Sequence, residues 1–325
     1  MKPKIRFACG LYDRMLPLYL KEVEPEGIDL EFVRMDNPRD IFDAMAARAP
    51  FEAAEMSSSE YIQRTVAGQS AFVALPVFPS RMFRHGFITI NRRAVREPRD
   101  LAGKRIGVPL WTISAAVWIR GHLMHDYGVD LSNVTWIQGS INSPEAHGDP
   151  TVLPMARPPR IEQNRSGRSL SDLLAAGEID AIIGTDIPQS IKTSPDVARL
   201  FPDFREVEKA LYRDKRIYPI MHLVVVRKDV HAAHPWIAQP LFDCFNRSKA
   251  VALKRMRYLG ALNYMLPWLM DDLDEIDAVF GGDPWPYGLE SNRPTLEALA
   301  TYLADQGIIG RKPALEELFL PVQHN

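Results

Sequence analysis

Apolar positions along this chain fall into short, strand-like runs separated by stretches of helical period. Residues 4–8 and 29–33 read as short strands, and Tyr12, Leu16, Leu18 and Leu20 between them read as a helix or irregular turn. Asn37 and Pro38 open a helix over 41–48, because Asn is a good cap and Pro fits the first helical turn. Residues 51–56 return as a strand ending in Ser57, Ser58, Ser59 and Glu60, where another helix begins. Strand, helix, strand, helix is the signature of an α/β protein.

FVALPVFPSRMFRHGFITIN, residues 72–91, sets Arg81, Arg84 and His85 between two apolar runs rich in β-branched and aromatic residues. Pro76, Pro79 and Gly86 punctuate it, so the basic residues read as a connection between strands at 73–78 and 87–90, suited to anions. RDLAGKRIGVP, residues 99–109, reads as a turn leading into the first parallel strand of a new sheet. IFDAMAARAPFEAAEMSSSE (41–60) and LSDLLAAGEIDAIIGTDIPQ (170–189) each run from amphipathic helix through a turn into a strand, with Gly177 as the second helix's stop. Two similar lobes would explain that echo. Residues 140–169, rich in Pro, Gly, Asn, Arg and Ser, read as a long surface loop that includes Glu145, His147 and Asp149. Residues 223–226 read as another buried strand, and the C-terminal third as mostly helical, with a helix over 296–305 stopped by Gly307.

Composition narrows the class. The 325 residues are 46% hydrophobic, enough for a sizeable core and two lobes. Lys plus Arg total 39 against 41 acidic residues, a net charge of -2, which argues against a nucleic-acid backbone or a membrane surface as partner. The start lacks an apolar signal core and no later run approaches a membrane span, so a cytoplasmic protein is expected. Cys9 and Cys244 offer neither a disulfide framework nor a zinc spacing. No GxSxG elbow, P-loop, dinucleotide fingerprint or zinc-hydrolase motif is present.

DLAGKRIGVP, LSDLLAAGEIDAII and IMHLVVVRKDV together resemble the two-lobed type II periplasmic-binding-protein fold. ALPVFPSRMFRHGFITIN, SAAVWIRGHLMHDYGV, PIMHLVVVRKDV and NRPTLEALATYLADQGII are, more narrowly, similar to the 4,5-dihydroxyphthalate decarboxylase family. One departure is GTDIPQ (184–189), where a more basic, proline-rich segment is expected of relatives. The resemblance implies lobe one from residues 1–84 and 223–325 and lobe two from 85–222, each a mainly parallel sheet flanked by helices. The ligand cleft then lies between the lobes at the carboxyl ends of the strands.

That topology nominates Gly10 to Asp13, Ser57 to Glu60, Ser80 and Arg81 from lobe one, and Trp111 to Ser114, Thr185 and Asp186 from lobe two. Crossover strands running antiparallel to their neighbours would bring His85 and His222 into the cleft together. The activity implied is non-oxidative decarboxylation of a hydroxylated aromatic dicarboxylate, 4,5-dihydroxyphthalate to protocatechuate and CO2, with no redox cofactor. His85 is the expected acid, with His222 or Asp186 taking the phenol proton. Arg81 would clamp the retained carboxylate, and Arg84 would bind substrate or pair with Glu60 or Asp186. Ser57, Ser58 and Ser59 would donate hydrogen bonds, Thr112 or Ser114 would cap the next helix, and Trp111 or Trp118 would stack on the ring. On that helix, Trp118, His122 and His125 form a face read as exposed. A divalent metal held by His85, His222 and Asp186 is the mechanistic rival. The functional rival is a solute-binding protein of an ABC transporter for a small aromatic carboxylate. Homo-oligomerisation is compatible with either.

Overall fold

The computed structural model describes residues 2–144 and 153–323, and within them the chain builds two mixed sheets. Strands β1 (Lys4–Cys9), β2 (Asp29–Arg34), β3 (Ala53–Ser57) and β4 (Phe72–Arg81) begin the first. Strands β5 (Ile88–Asn91), β6 (Arg105–Val108), β7 (Thr135–Gln138), β8 (Ile161–Gln163), β9 (Ala181–Ile183) and β10 (Val197–Arg199) form the second, before β11 (Ile220–Arg227) returns to the first. The orders are β2-β1-β3-β11-β4 and β10-β5-β9-β6-β7-β8. The expected two-lobed α/β architecture is therefore present.

Strand direction decides where the lobes meet. β1, β2 and β3 run parallel, as do β9, β6, β7 and β8, whereas β11 runs antiparallel to β3 and β4, and β5 antiparallel to β9 and β10. Each sheet thus contains one strand belonging to the chain's passage between lobes, and that strand starts where its parallel neighbours end. The repeated helix-to-strand unit has the same outcome in both lobes. The helix Pro38–Ala47 feeds β3, the helix Leu170–Ala176 feeds β9, and Gly177 takes the left-handed conformation (φ 73°) that ends the second helix.

Several elements differ from the sequence reading. β4 does not stop at Phe78 but runs through Pro76 and Pro79 to Arg81, so Arg81 is a strand residue and not part of a connection. Proline is tolerated because β4 is the last strand of its sheet, with β11 its one neighbouring strand among the described residues. β11 begins at Ile220, which puts His222 inside the first sheet. The 140–169 stretch contributes β8, parallel to β7 at the edge of the second sheet. Glu145, His147 and Asp149 lie outside the described residues. Among the described residues, no helix is long and apolar enough to cross a membrane.

The helix Ser114–His125 is buried from Ser114 to Leu123, so of the face expected to be exposed only His125 is, while Trp118 and His122 are buried. Trp118 is wholly buried, stacks on His122, and donates Nε1–H to the Ile220 carbonyl at 2.9 Å. Covering this face is the C-terminal helix Arg293–Asp305, whose Tyr302 packs edge-on against Trp118 and His122. The approach needs Gly121, since a Cβ there would lie 2.0 Å from the Tyr302 ring.

Gly121→Ala sets a helix-propensity gain of about 1 kcal/mol against overpacking that typically costs about 1–3 kcal/mol. At so short a separation the clash wins. The variant should melt several degrees below wild type in a thermal unfolding scan; an unchanged or raised Tm would show that Tyr302 yields freely.

Candidate active site

β3 reads AAEMS and every residue of it is buried, so Glu55 places a carboxylate in the interior of the first sheet. Such a charge is tolerable only with several donors around it. The end of β1 and the strand β11 supply them. Gly10 N donates at 3.1 Å, Cys9 Sγ at 3.3 Å, Tyr12 Oη at 2.7 Å, and His222 Nδ1 lies 2.5 Å from Oε1. Antiparallel register explains the last contact: His222 is opposite Ser57 and Val224 opposite Glu55, so Glu55 and His222 are diagonal neighbours on one face. Burial pushes the Glu55 pKa up, but the His222 charge and the hydrogen bonds from His222, Tyr12 and Gly10 outweigh it and hold the carboxyl below its ordinary value.

His222 is fixed on its other side by Phe42, whose ring meets the imidazole edge-on at 4.9 Å. Its side chain keeps 18% of its exposure, against none for Glu55. With Nδ1 turned to Glu55, Nε2 is the nitrogen available for a ligand. Tyr12 in turn lies under Arg14, whose guanidinium is 4.4 Å from the Tyr12 ring and 4.3 Å from that of Trp285.

Beside His222 the two lobes touch through hydroxyl groups. Ser114 Oγ lies 3.2 Å from Ser57 Oγ, 3.1 Å from Ser58 Oγ and 3.0 Å from Ser59 Oγ, while Ser59 donates to the Thr112 carbonyl at 2.7 Å. Neither Thr112 nor Ser114 caps the second-lobe helix, contrary to expectation. Its N-cap is Ile113, and the helix Ser58–Val66 likewise has no side-chain cap on its N-cap Ser57. The helix Ser58–Val66 is instead capped from the other lobe, Ser59 N donating to Ser114 Oγ at 3.2 Å, whereas the helix Ser114–His125 starts without a side-chain cap and its orphan N–H groups suit an anionic oxygen.

Other residues singled out in the sequence lie elsewhere. His85 is sealed between His122 (ring centroids 5.0 Å apart), Phe201 and Tyr127, and shares no partner with His222. His122 is eight residues beyond Ser114, about 12 Å along the helix, so the expected pairing of His85 with His222 is corrected. Burial, then the His122 charge, pulls the His85 pKa down to about 3, which leaves the imidazole neutral. Its backbone N–H and that of Gly86 bond Glu208, whose pKa burial pushes up to about 7. Asp186 is exposed after β9 and accepts a hydrogen bond from Asn142. His85, His222 and Asp186 thus occupy three separate neighbourhoods and do not make the ligand set considered for a metal. Among the described residues, no three His, Cys, Asp or Glu side chains converge in that way.

The arginines also differ from expectation. Arg81 is buried and donates to the backbone carbonyls of Tyr218 and Pro286, with the Tyr218 ring 4.7 Å away. Arg84 lies over the Phe87 ring at 4.7 Å, and the charge acting on it is Glu208, not Glu60 or Asp186. Desolvation brings each guanidinium down to about 10. Trp111 faces Arg120 and Trp136, and the wholly buried Trp118 cannot stack on a ligand in this arrangement. Tyr12 falls within the nominated Gly10 to Asp13 stretch, whereas Glu55 was missed. A lone acid inside the apolar strand AAEMS was the available signal, because a buried charge obliges a partner.

Sheet order, antiparallel crossing strands and the cleft between two strand ends define a protein of the type II periplasmic-binding-protein class. The aliphatic sulphonate-binding protein SsuA of Escherichia coli shares that fold, with a TM-score of 0.54 at 9% identity over 100% of this chain and 94% of the other. Residues 24–147 match the family model described as NMT1/THI5 like. Sequence likeness is more specific: the 4,5-dihydroxyphthalate decarboxylase of Comamonas testosteroni is 36% identical over 322 residues, 98% of this chain and 97% of the relative. That of Pseudomonas putida is 37% identical over 214 residues, 65% and 82% of the two chains. The chain belongs to the 4,5-dihydroxyphthalate decarboxylase family.

Because the Glu55 pKa is depressed in the folded state, its ionic contribution to stability is complete above the unfolded value of about 4.3. It is lost as pH falls through the folded value. Glu55→Gln should therefore lie well below wild type in urea stability at pH 7, with the gap narrowing near pH 3. A gap independent of pH would mean that shape alone matters at this position.

Proposed function

We propose that this chain catalyses the non-oxidative decarboxylation of a hydroxylated aromatic dicarboxylate, with 4,5-dihydroxyphthalate as substrate and protocatechuate and CO2 as products. Family membership supports the reaction class. The observation that carries the mechanism is His222, held through Nδ1 by the buried Glu55 carboxylate, with Nε2 free beside the serine cluster.

In the proposed reaction, the hydroxyl para to the departing carboxylate gives up its proton. Electron density then rises at the carbon bearing that carboxylate, and this carbon takes a proton. The bond to the carboxylate breaks, its electron pair returns to the ring, and CO2 leaves as aromaticity is restored. His222 is the proposed acid at the ring carbon. Glu55, bonded at Nδ1, fixes the ring's orientation for the donation. Asp186, exposed after β9 and apart from His222, takes no step in this scheme, and solvent accepts the phenol proton. The N–H groups at the start of the helix Ser114–His125 would hold the carboxylate that stays, with Ser57 donating beside them. Arg81, Arg84 and His85 fall to the supporting structure in this reading. No metal enters the scheme.

Incubation of the purified protein with 4,5-dihydroxyphthalate should yield protocatechuate; binding without turnover would favour the solute-binding reading instead. A positioned acid contributes about 10²- to 10⁴-fold, so His222→Ala should lose that much in kcat while His85→Ala loses far less. The reverse ranking would restore His85 as the acid.

Exhaustive chelation provides the second check. Activity should survive treatment with EDTA and dialysis, whereas loss that a divalent cation restores would require a metal-assisted route.

A further inference from the structure

Away from the cleft, the second lobe contains a cavity of about 510 Å³ whose lining includes Trp111, Arg120, Trp136, Arg157 and Asp305. It is bounded by the helix Ser114–His125, the loop that leads into β7, residues 157–160 and the end of the helix Arg293–Asp305. Arg120 is wholly buried and is held by neutral acceptors alone: Nε donates to Gln306 Oε1 at 2.8 Å and Nη2 to the Trp111 carbonyl at 2.7 Å. Its guanidinium lies 3.6 Å over the Trp111 ring and 5.6 Å from that of Trp136. Burial drives its pKa far down, with no carboxylate opposing the shift.

Two buried donors at this cavity lack an acceptor, Arg120 Nη1 and Trp111 Nε1. An arginine buried on an indole face gains from the cation–π contact, but that contact offers no acceptor to the remaining N–H groups. Arg157 adds a second guanidinium at the rim, bonded only to the carbonyls of Ala304 and Asp305. It is fixed by close passage of the chain at Gly307, where a Cβ would lie 2.7 Å from that of Arg157. Acidic groups are also present: Asp305 pairs with His125 at 3.0 Å, and Asp130 accepts from Ser132 N. Arg160 is paired with Glu162. The rim carboxylates disfavour a multiply charged anion, while Met124, Leu131, Val134 and Pro159 suit a flat apolar body.

We propose that this cavity is a second ligand site for an aromatic monocarboxylate, with the carboxylate between Arg120, Arg157 and the Trp111 Nε1–H and the ring against Met124, Leu131 and Pro159. The site does not depend on the reaction proposed for the cleft.

Benzoate is the probe, followed by isothermal titration and by tryptophan fluorescence. Because replacing Arg120 itself endangers folding, the variants are Trp111→Phe, which keeps the wall and removes one donor, and Arg157→Ala at the rim. Each should weaken benzoate binding roughly tenfold or more, as expected for loss of a hydrogen bond involving a charged group. Ser57→Ala, in the cleft, should leave the affinity unchanged. The proposal is overturned by absence of benzoate binding at millimolar concentration, or by wild-type affinity in both cavity variants. Sensitivity to Ser57→Ala alone would assign the benzoate to the cleft, and equal affinity for inorganic phosphate would overturn the aromatic class.

Discussion

The organisation of the cleft depends on one buried charge. Glu55 sits inside a strand that is covered on all sides, and an uncompensated carboxylate there would cost several kcal/mol. Four donors from three chain segments prevent this: Cys9 and Gly10 at the end of β1, Tyr12 just beyond it, and His222 on β11. The same contacts that satisfy the carboxylate also join the returning strand β11 to the opening strands of the lobe. A packing requirement and the proposed catalytic arrangement are therefore met by one set of hydrogen bonds. This explains how an imidazole can be held rigidly while part of it stays open.

The second constraint is the position of the helix Ser114–His125. Its first residue meets the serines of lobe one, its middle is wedged against Tyr302 and Trp118 contacts Ile220 at the start of β11, and its last turn seals His85. A helix of lobe two is thus fastened to lobe one at its start and to the interlobe passage along its length. Ligand groups bound at the uncapped start would meet a support that cannot easily shift away from His222.

Most of the architecture was legible in the sequence because it rests on local patterns. The strands β1, β2, β3 and β6, the paired helix-to-strand units and the Gly177 stop all follow from periodicity and turn chemistry. Edge elements were harder: β8 and β10 are three residues long, and the prolines of β4 conceal a strand that only its edge position permits. At the site, the serines, Thr112 and His222, nominated together, lie side by side where the two lobes meet. His85 was drawn there by its neighbours Arg81 and Arg84, whose positive charge suggested an anion site. Sequence adjacency could not reveal that β4 carries Arg81 into the sheet, or that the following turn places His85 behind the helix. Glu55 was overlooked for the opposite reason, since one acid in a five-residue strand leaves no local pattern.

The buried arginines show why charge along a sequence is a weak guide to anion binding. Arg81 spends two donors on backbone carbonyls, Arg84 lies over a phenyl ring, and Arg120 is sandwiched by indoles. All three are desolvated, and none is held in place by a close carboxylate partner. In the cleft, positive potential comes instead from the backbone: the helix Ser114–His125 begins there without a side-chain cap, and its N–H groups need no flexible side chain to be ordered when a ligand arrives. A carboxylate bound by fixed backbone dipoles is also easier to orient than one followed by mobile cations. For the proposed reaction, in which one carboxylate must leave and its neighbour must stay, that fixed orientation would determine which ring carbon meets the proton.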